Sequence, residues 1–415
     1  MTAKNKIVEL SSFIAQQTAL IDSFFEQNKL PTPSLEPDAL PLLPIPDNAP
    51  DIKAARAAVI NACSELKALL TGPRELLRFE WTAYVSVKAI LRFKLDQSFA
   101  VGESTFFEAM SRFSDLDTKS VRRIVRHAII NHHFFHENAP GEITHSALTA
   151  VLVNDPVARN GLIVVLDEFW PAGVKMADAM EKWPNSEENN ETGFALANNS
   201  TKSMFDIFAD HPDRAERFGR FFSGSTLATE ELLSNYPWAE KATMVDVGGS
   251  HGSVAISIAE RFPNMTCVVQ DLPDTAAEGS SQLPDYLKDR ITFMAHDFFT
   301  PQTVTADVYY FRSIFHNWSD KYCIQILRNL VPALKPGARI IIHERILSGF
   351  ENLKTEEARR AINLDIGMQQ LLNARERQMT EWLELFSCGD PRFRYIGACH
   401  CPGSNLWILE AGWEG

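Results

Sequence analysis

Residues 243 to 263, TMVDVGGSHGSVAISIAERFP, set a glycine-rich turn between an apolar run and an amphipathic segment. Gly248, Gly249 and Gly252 let the backbone approach a ligand closely where a first strand passes into a helix. Nineteen residues past Gly252, Asp271 stands in VVQDLP at the end of the next apolar run. An acid there suits bidentate hydrogen bonding to ribose hydroxyls. The same grammar continues: ITFMAHD, ADVYYFR and ARIIIHE are short β-branched or aromatic runs separated by helix-length segments. This pattern predicts an α/β fold with a parallel sheet and crossover helices. FRYIGACH and NLWILEAGW, joined by CPGS, read as a closing hairpin.

Ahead of this region the pattern is helical. Residues 6 to 28 predict an amphipathic helix, and LPTPSLEPDALPLLPIPDNAPD predicts an extended arm whose leucines lie against a surface. IKAARAAVINACSELKALL, RELLRFEWTAYVSVKAILRF, ESTFFEAMSRF and DTKSVRRIVRHAIINHHFF read as successive helices, and HENAPGEITHSALTAVLV as a turn with a short strand. Small helices followed by a hairpin predict a winged-helix arrangement. Arg122, Arg123 and Arg126 stand where a DNA-reading helix would lie, although a solvated face or a subunit interface is the better reading. Residues 154 to 235 predict further helices rich in aromatics. The resulting organisation is 1–52 as a helix and Pro-rich arm, 53–155 as a winged-helix-like domain, 156–240 as linking helices and 241–415 as the sheet-bearing domain.

Charge narrows the partners. The 415 residues carry a net charge of −13, which argues against nucleic acid and anionic membrane surfaces, since both need surplus Lys and Arg. No apolar run approaches membrane-spanning length, and MTAKNKIVELSSFIAQQ lacks the unbroken apolar core of a secretion signal, so a cytoplasmic protein is expected. Six scattered cysteines without CxxC spacing read as reduced thiols. The CHC at 399–401 is read as strand filler rather than a metal site, because alternating strand neighbours point to opposite faces.

Two cofactors fit the glycine turn. A dinucleotide motif would read GxGxxG, which this turn does not form. The DxGxGxG pattern of S-adenosyl-L-methionine-dependent methyltransferases fits better through Asp246, Gly248 and Gly252, with Ser250 replacing the middle glycine. Taken with QDLP, HDFF, FRSIFHNWSD, LKPGARIIIHE and NARERQMTEW, the chain resembles the class I O-methyltransferases of the plant caffeic-acid type, in particular their fungal secondary-metabolite branch. That resemblance implies a Rossmann-like domain that binds S-adenosyl-L-methionine and an N-terminal winged-helix dimerisation domain, hence a homodimer. It implies cofactor contacts from Asp246, Gly248, Gly252, Asp271, Leu272, Asp297, Phe298 and Arg312. It further implies His316 as catalytic base, flanked by Glu344 and by Glu376, the latter in RERQ where the family has KERT.

Substrate-pocket candidates are His133, Phe194, Met204, Phe205, Ser313 and Met368. Ser313 stands where the family often has an aromatic. A phenol has a pKa near ~10 and an imidazole near ~6.5, so a histidine oriented by a carboxylate is a reasonable base for O-methylation. The function expected is methyl transfer to a hydroxyl of an aromatic or polyketide-derived fungal metabolite. The alternative is a non-methylating pericyclase of the same branch that keeps the cofactor. A DNA-binding regulator is a third, weaker reading.

Overall fold

A computed structural model describes residues 6–46, 48–223, 232–234, 236–239, 241–347, 356–400 and 406–415. The chain divides into two compact units. One holds Met1–Trp170, Pro212–Phe222 and Lys354–Glu356; the other holds Pro171–His211, Ser223–Leu353 and Glu357–Gly415.

In the first unit, helices α1 (Lys6–Gln27) and α2 (Pro50–Thr71) are joined by the proline-rich arm. The arm is tied through its backbone, with Leu35 O accepting the Ala147 N–H at 2.8 Å. Its leucines stay outside: Leu35, Leu40, Leu42 and Leu43 are all exposed, contrary to the expectation that they would lie against a surface. Prolines leave this stretch few amide donors, and the same Leu35 carbonyl also meets His136 Nε2 at 3.3 Å.

RELLRFEWTAYVSVKAILRF is not one helix. A single turn at Pro73–Leu76 gives way to irregular chain, and helix α3 begins only at Val85 and runs to Arg92. Val87, Ile90 and Leu91 are buried, whereas Phe79 and Trp81 are 80% and 87% exposed. Helical stability comes mainly from burying one face, and the upstream residues have no core to bury into within this unit. Helices α4 (Phe107–Ser114) and α5 (Thr118–His132) complete the bundle around Met110, Val121, Val125 and Phe135. Asp117 caps α5 by accepting the N–H groups of Lys119 and Ser120 at 3.0 Å. On α5, Arg126 forks onto Glu137 at 2.8 and 2.6 Å, and Arg122 lies over the Phe107 ring. Strands β1 (Ser104–Phe106), β2 (His136–Ala139) and β3 (Glu142–Thr144) form a small antiparallel sheet with β3 central.

The second unit is a mixed α/β structure. Its strands are β4 (Thr243–Val247), β5 (Thr266–Asp271), β6 (Ile291–Ala295), β7 (Val308–Arg312), β8 (Arg339–Glu344), β9 (Phe393–His400) and β10 (Trp407–Trp413). They pair in the order β6-β5-β4-β7-β8-β10-β9, the first five parallel and the last two antiparallel. The closing hairpin is thus present, although its CPGS link falls at 401–404, outside the described residues. Cys399 is half-buried opposite Ile408 of β10, and His400 rests against the Trp407 ring, while Cys401 lies outside the described residues.

Helices before the sheet are α6 (Trp170–Lys182), α7 (Gly193–Ala197) and α8 (Met204–Ala209). A Cβ on Gly193 would fall 2.3 Å from Ala172 O, so only glycine lets α7 approach α6 this closely. Among the helices that flank or follow the strands are α9 (Ser253–Arg261), α10 (Asp320–Leu330), α11 (Glu356–Leu372) and α12 (Met379–Gly389), with a further helix at Pro273–Gln282 between β5 and β6. Two apolar layers result. Met244, Tyr310 and Ile341 pack with α9 on one face, and Val245, Phe311 and Ile342 pack with α10 and α12 on the other.

Candidate active site

The parallel strands share one carboxyl edge, and the candidate residues fall along it. Gly248 and Gly249 follow β4, and both N–H groups reach the Gln270 carbonyl of β5, at 2.8 and 3.1 Å. Gly248 and Gly252 take φ of +70° and +76°, a region that penalises a side chain. A Cβ on Gly249 would sit 2.6 Å from the Asp246 carboxyl carbon, so that acid is packed directly beneath the turn. Asp246 is buried, and its Oδ2 has no hydrogen-bond partner among the described residues. It builds the turn from below.

Ser250 adopts φ +52° in place of the middle glycine. A left-handed residue with a Cβ costs roughly 1–2 kcal/mol. Its N–H donates to Asp271 Oδ2 at 2.8 Å, which offsets that cost, while Asp271 Oδ1 accepts the Leu272 N–H at 2.8 Å. The Asp271 carboxylate is thus held in one orientation at the end of β5. Leu272 is largely exposed beside it. After β6, Asp297 Oδ1 accepts the Phe299 N–H at 2.9 Å, and Phe298 packs edge-on to Phe299 and Trp318. A close glycine turn, a fixed carboxylate, and apolar Leu272 and Phe298 on one edge form a donor set that fits an adenosyl group. Arg312 ends β7, with Nη2 3.5 Å from Ser253 Oγ at the start of α9.

His316 does not open a helix. It sits in a single 3-10 turn, Phe315–Asn317, between β7 and α10. Asn317 Nδ2 closes that turn by donating to Ser313 O at 2.9 Å, and Ser313 itself takes φ +53°. The imidazole Nδ1 lies 2.9 Å from Glu376 Oε1, which places the proton on Nδ1 and leaves Nε2 as the acceptor nitrogen. Glu344, expected to flank the ring, also meets the backbone of its turn. Its Oε1 accepts the backbone N–H groups of Ile314 at 2.8 Å and Phe315 at 2.9 Å, with His316 at 3.5 Å, so it holds the turn that carries the ring. Both acids are buried, and the second oxygen of each has no partner among the described residues.

Burial disfavours the charged imidazole, but Glu344 and the Glu376 hydrogen bond overcome this and leave the His316 pKa above its ordinary value. Burial raises the Glu344 carboxyl; His316 and Arg377 oppose the rise and Glu376 adds to it. His343, next to Glu344 and on the opposite face of β8, is pushed down to about 3 by burial and by Arg312, and so stays neutral. Tyr310 OH meets its Nδ1 at 2.8 Å.

Of the pocket candidates, Phe194, Met204 and Met368 are buried, while Phe205 is 42% exposed. Phe194 packs edge-on to Phe208. His133 belongs to the other unit, where it caps the end of α5 in a left-handed conformation and donates its N–H to Ala128 O.

Two residues were missed. Arg377 is fully buried and reaches both sides of the His316 turn, a role hidden by its surface-like position in RERQ. Asn189 is buried, and neither end of its carboxamide has a partner among the described residues. Its loop is pinned by Asn373 Nδ2 to the carbonyls of Glu188 and Glu191 at 2.9 Å each, and by Glu188 to Lys321 and Tyr322 at 2.5 Å each. No periodicity marks it.

Comparison with known proteins identifies the family. The model of the O-methyltransferase domain family matches residues 179–389. O-methyltransferase AMT9 of Alternaria alternata is 37% identical over 98% of this chain and 98% of its own length. Among solved structures, OxaC in complex with SAH and oxaline superposes with a TM-score of 0.76 at 19% identity, covering 99% of this chain and 100% of that one. A structure described as a pericyclic reaction enzyme gives 0.67 at 22% identity, covering 87% and 94%. The chain belongs to the O-methyltransferase family. It is an S-adenosyl-L-methionine-dependent O-methyltransferase.

Asp246 gives the site a pH signature. Burial raises its carboxyl from 3.8 to about 7, with Arg312 opposing and Asp271 adding. A group that binds its proton more tightly when folded contributes stability that is complete below pH 3.8 and lost as pH rises through about 7. The melting temperature of the wild type is expected to fall between pH 5 and 8. Asp246→Asn, which mimics the protonated acid, is expected to flatten that slope; thermal scans giving the same slope for both proteins would contradict the assignment.

Proposed function

We propose that this enzyme methylates a hydroxyl group on an aromatic or polyketide-derived fungal secondary metabolite, with His316 as general base. The observation that carries this reading is the 2.9 Å contact from His316 Nδ1 to Glu376, which leaves Nε2 to take the proton. S-adenosyl-L-methionine, when bound, supplies the electrophilic methyl carbon. Gly248, Gly252, Asp271, Leu272, Asp297, Phe298 and Arg312 hold it, and Asp246 supports the turn. As the acceptor oxygen attacks, its proton passes to His316 Nε2, and Glu376 stabilises the imidazolium. The raised basicity of His316 narrows the gap to a phenol, whose pKa is near ~10. Phe205 and Ser313 offer accessible surface for a flat acceptor, and Asn189 offers an unpaired donor and acceptor.

The same fold supports the pericyclic reaction enzyme, so a non-methylating cyclase remains the second reading. The intact pair of His316 and Glu376 favours methyl transfer, because a cyclisation steered by cofactor charge has no need of an oriented base. One incubation with methyl-labelled cofactor and a panel of phenolic polyketides separates them. Label is expected in the product, and His316→Ala is expected to lose about 10²–10⁴ in rate while its cofactor Kd stays within about twofold. Product of unchanged formula with new rings and no label would establish the cyclase, and full activity in His316→Ala would remove the base.

We further read 53–155 as a winged-helix dimerisation domain of a cytoplasmic homodimer, with 1–52 as its arm, 156–240 as linking helices and 241–415 as the cofactor-binding domain. The hairpin β2–β3 after α5, with β1 alongside, supports the wing. Leu77, Phe79 and Trp81, at 74%, 80% and 87% exposed, support an interface, since such rings seldom stay in water on a monomer. Light scattering is expected to give twice the chain mass, falling to a monomer in Phe79→Asp/Trp81→Asp; a monomeric wild type would contradict the reading.

A further inference from the structure

Arg377 follows Glu376 in sequence and has none of its surface exposed. Its Nε donates to Asp320 Oδ1 at 2.9 Å, in the first turn of α10. Nη1 donates to Phe315 O at 3.0 Å, and Nη2 donates to Trp318 O at 2.7 Å. Nη2 also lies 3.3 Å from Cys323 Sγ, and the guanidinium sits 5.5 Å from the Trp382 ring centroid. Phe315 and Trp318 bracket His316. A single guanidinium therefore gathers the carbonyls on both sides of the turn that carries the imidazole.

The opposite chemistry of that turn is already taken. Glu344 collects its N–H groups, from Ile314 to His316. We propose that Arg377 is a positioning residue for the proton-accepting histidine, holding the carbonyl side of the turn while Glu344 holds the amide side. The inference rests on the reading of His316 as base. With both sides fixed, the ring keeps one freedom, rotation of the side chain, and Glu376 removes it. Asp320 alone does not explain so buried an arginine. It is one-third exposed and also pairs with Arg375, so an arginine needed only for that pair would sit at the surface, free of the several kcal/mol cost of desolvation.

The charge has a second effect. The charged groups acting on His316 are Glu344 from β8 and Glu376 and Arg377 from the segment before α12, with Asp320 of α10 paired to Arg377 and Asp365 of α11 behind Glu376, accepting its N–H at 2.9 Å. Arg377 is the cation that offsets the two buried glutamates, and it lowers the affinity of His316 for a proton. Removing the charge and removing the fork geometry have separable consequences, because lysine keeps the first and loses the second.

The test uses the full-length enzyme with S-adenosyl-L-methionine and a phenolic acceptor that the wild type methylates, comparing Arg377→Lys and Arg377→Met. The pH dependence of kcat is measured beside the NMR titration of the His316 ring, which is assigned by its loss in His316→Ala. Arg377→Lys is expected to lower kcat about ten- to a hundredfold, with the titration midpoint of His316, cofactor Kd and acceptor KM close to wild type. Arg377→Met is expected to lower kcat further and to move the midpoint and the acid limb of the kcat profile to higher pH. Wild-type kcat in the lysine variant would overturn the proposal. So would a fall in kcat matched by an equal fall in the fraction of molecules that bind cofactor. If the methionine variant does not fold, the lysine variant decides. If His316→Ala proves fully active, the base reading fails, while the ring titration in the Arg377 variants still reports whether the clamp exists.

Discussion

The site depends on one carboxylate at the end of one strand. Parallel pairing matches Arg312 of β7 with His343 of β8, so Glu344, one residue further, lies beneath the chain that leaves β7. Its Oε1 there accepts the amides of a 3-10 turn that would otherwise carry unpaired N–H groups into the core. Hydrogen bonds to a charged acceptor contribute roughly 1.5–3 kcal/mol each, enough to fix a short turn that has no helix to belong to. Everything chemical about His316 follows from that turn being fixed: which nitrogen meets Glu376, and which faces outward.

Strand alternation divides the labour further. His343 and Glu344 are consecutive, so they point to opposite faces of the sheet. Toward α9 and the glycine turn, His343, Tyr310, Arg312 and Asp246 share one face, and burial keeps His343 neutral there. Toward α10 and α12, Glu344 serves the turn that carries His316. The surroundings of the glycine turn and those of His316 are thereby built on one strand, a single residue apart, and a one-residue slip of β8 would exchange them.

The sheet, its order of runs and the glycine turn were legible because apolar runs of strand length alternate with helix-length segments, and the turn needs glycine where φ is positive. His316, Glu344 and Glu376 were nameable through the family resemblance, and the first two through their place at strand ends. Their division of work was not, because a glutamate at a strand end can meet a ring or a backbone, and only the register of β7 on β8 decides. Arg377 and Asn189 were invisible for another reason. Both look like surface residues in the sequence, and only docking of distant segments buries them. The failed long helix at 74–93 has the same origin, since good local propensity upstream of Val85 found no face to bury.

The central claim is that His316 and Glu376 act as one unit. A double-mutant cycle on kcat/KM for methyl transfer, with His316→Ala, Glu376→Gln and the double variant, measures this directly. If the carboxylate works only through the imidazole, the double variant will be no slower than His316→Ala alone. Additive losses would show that Glu376 acts independently of the histidine and would contradict the account.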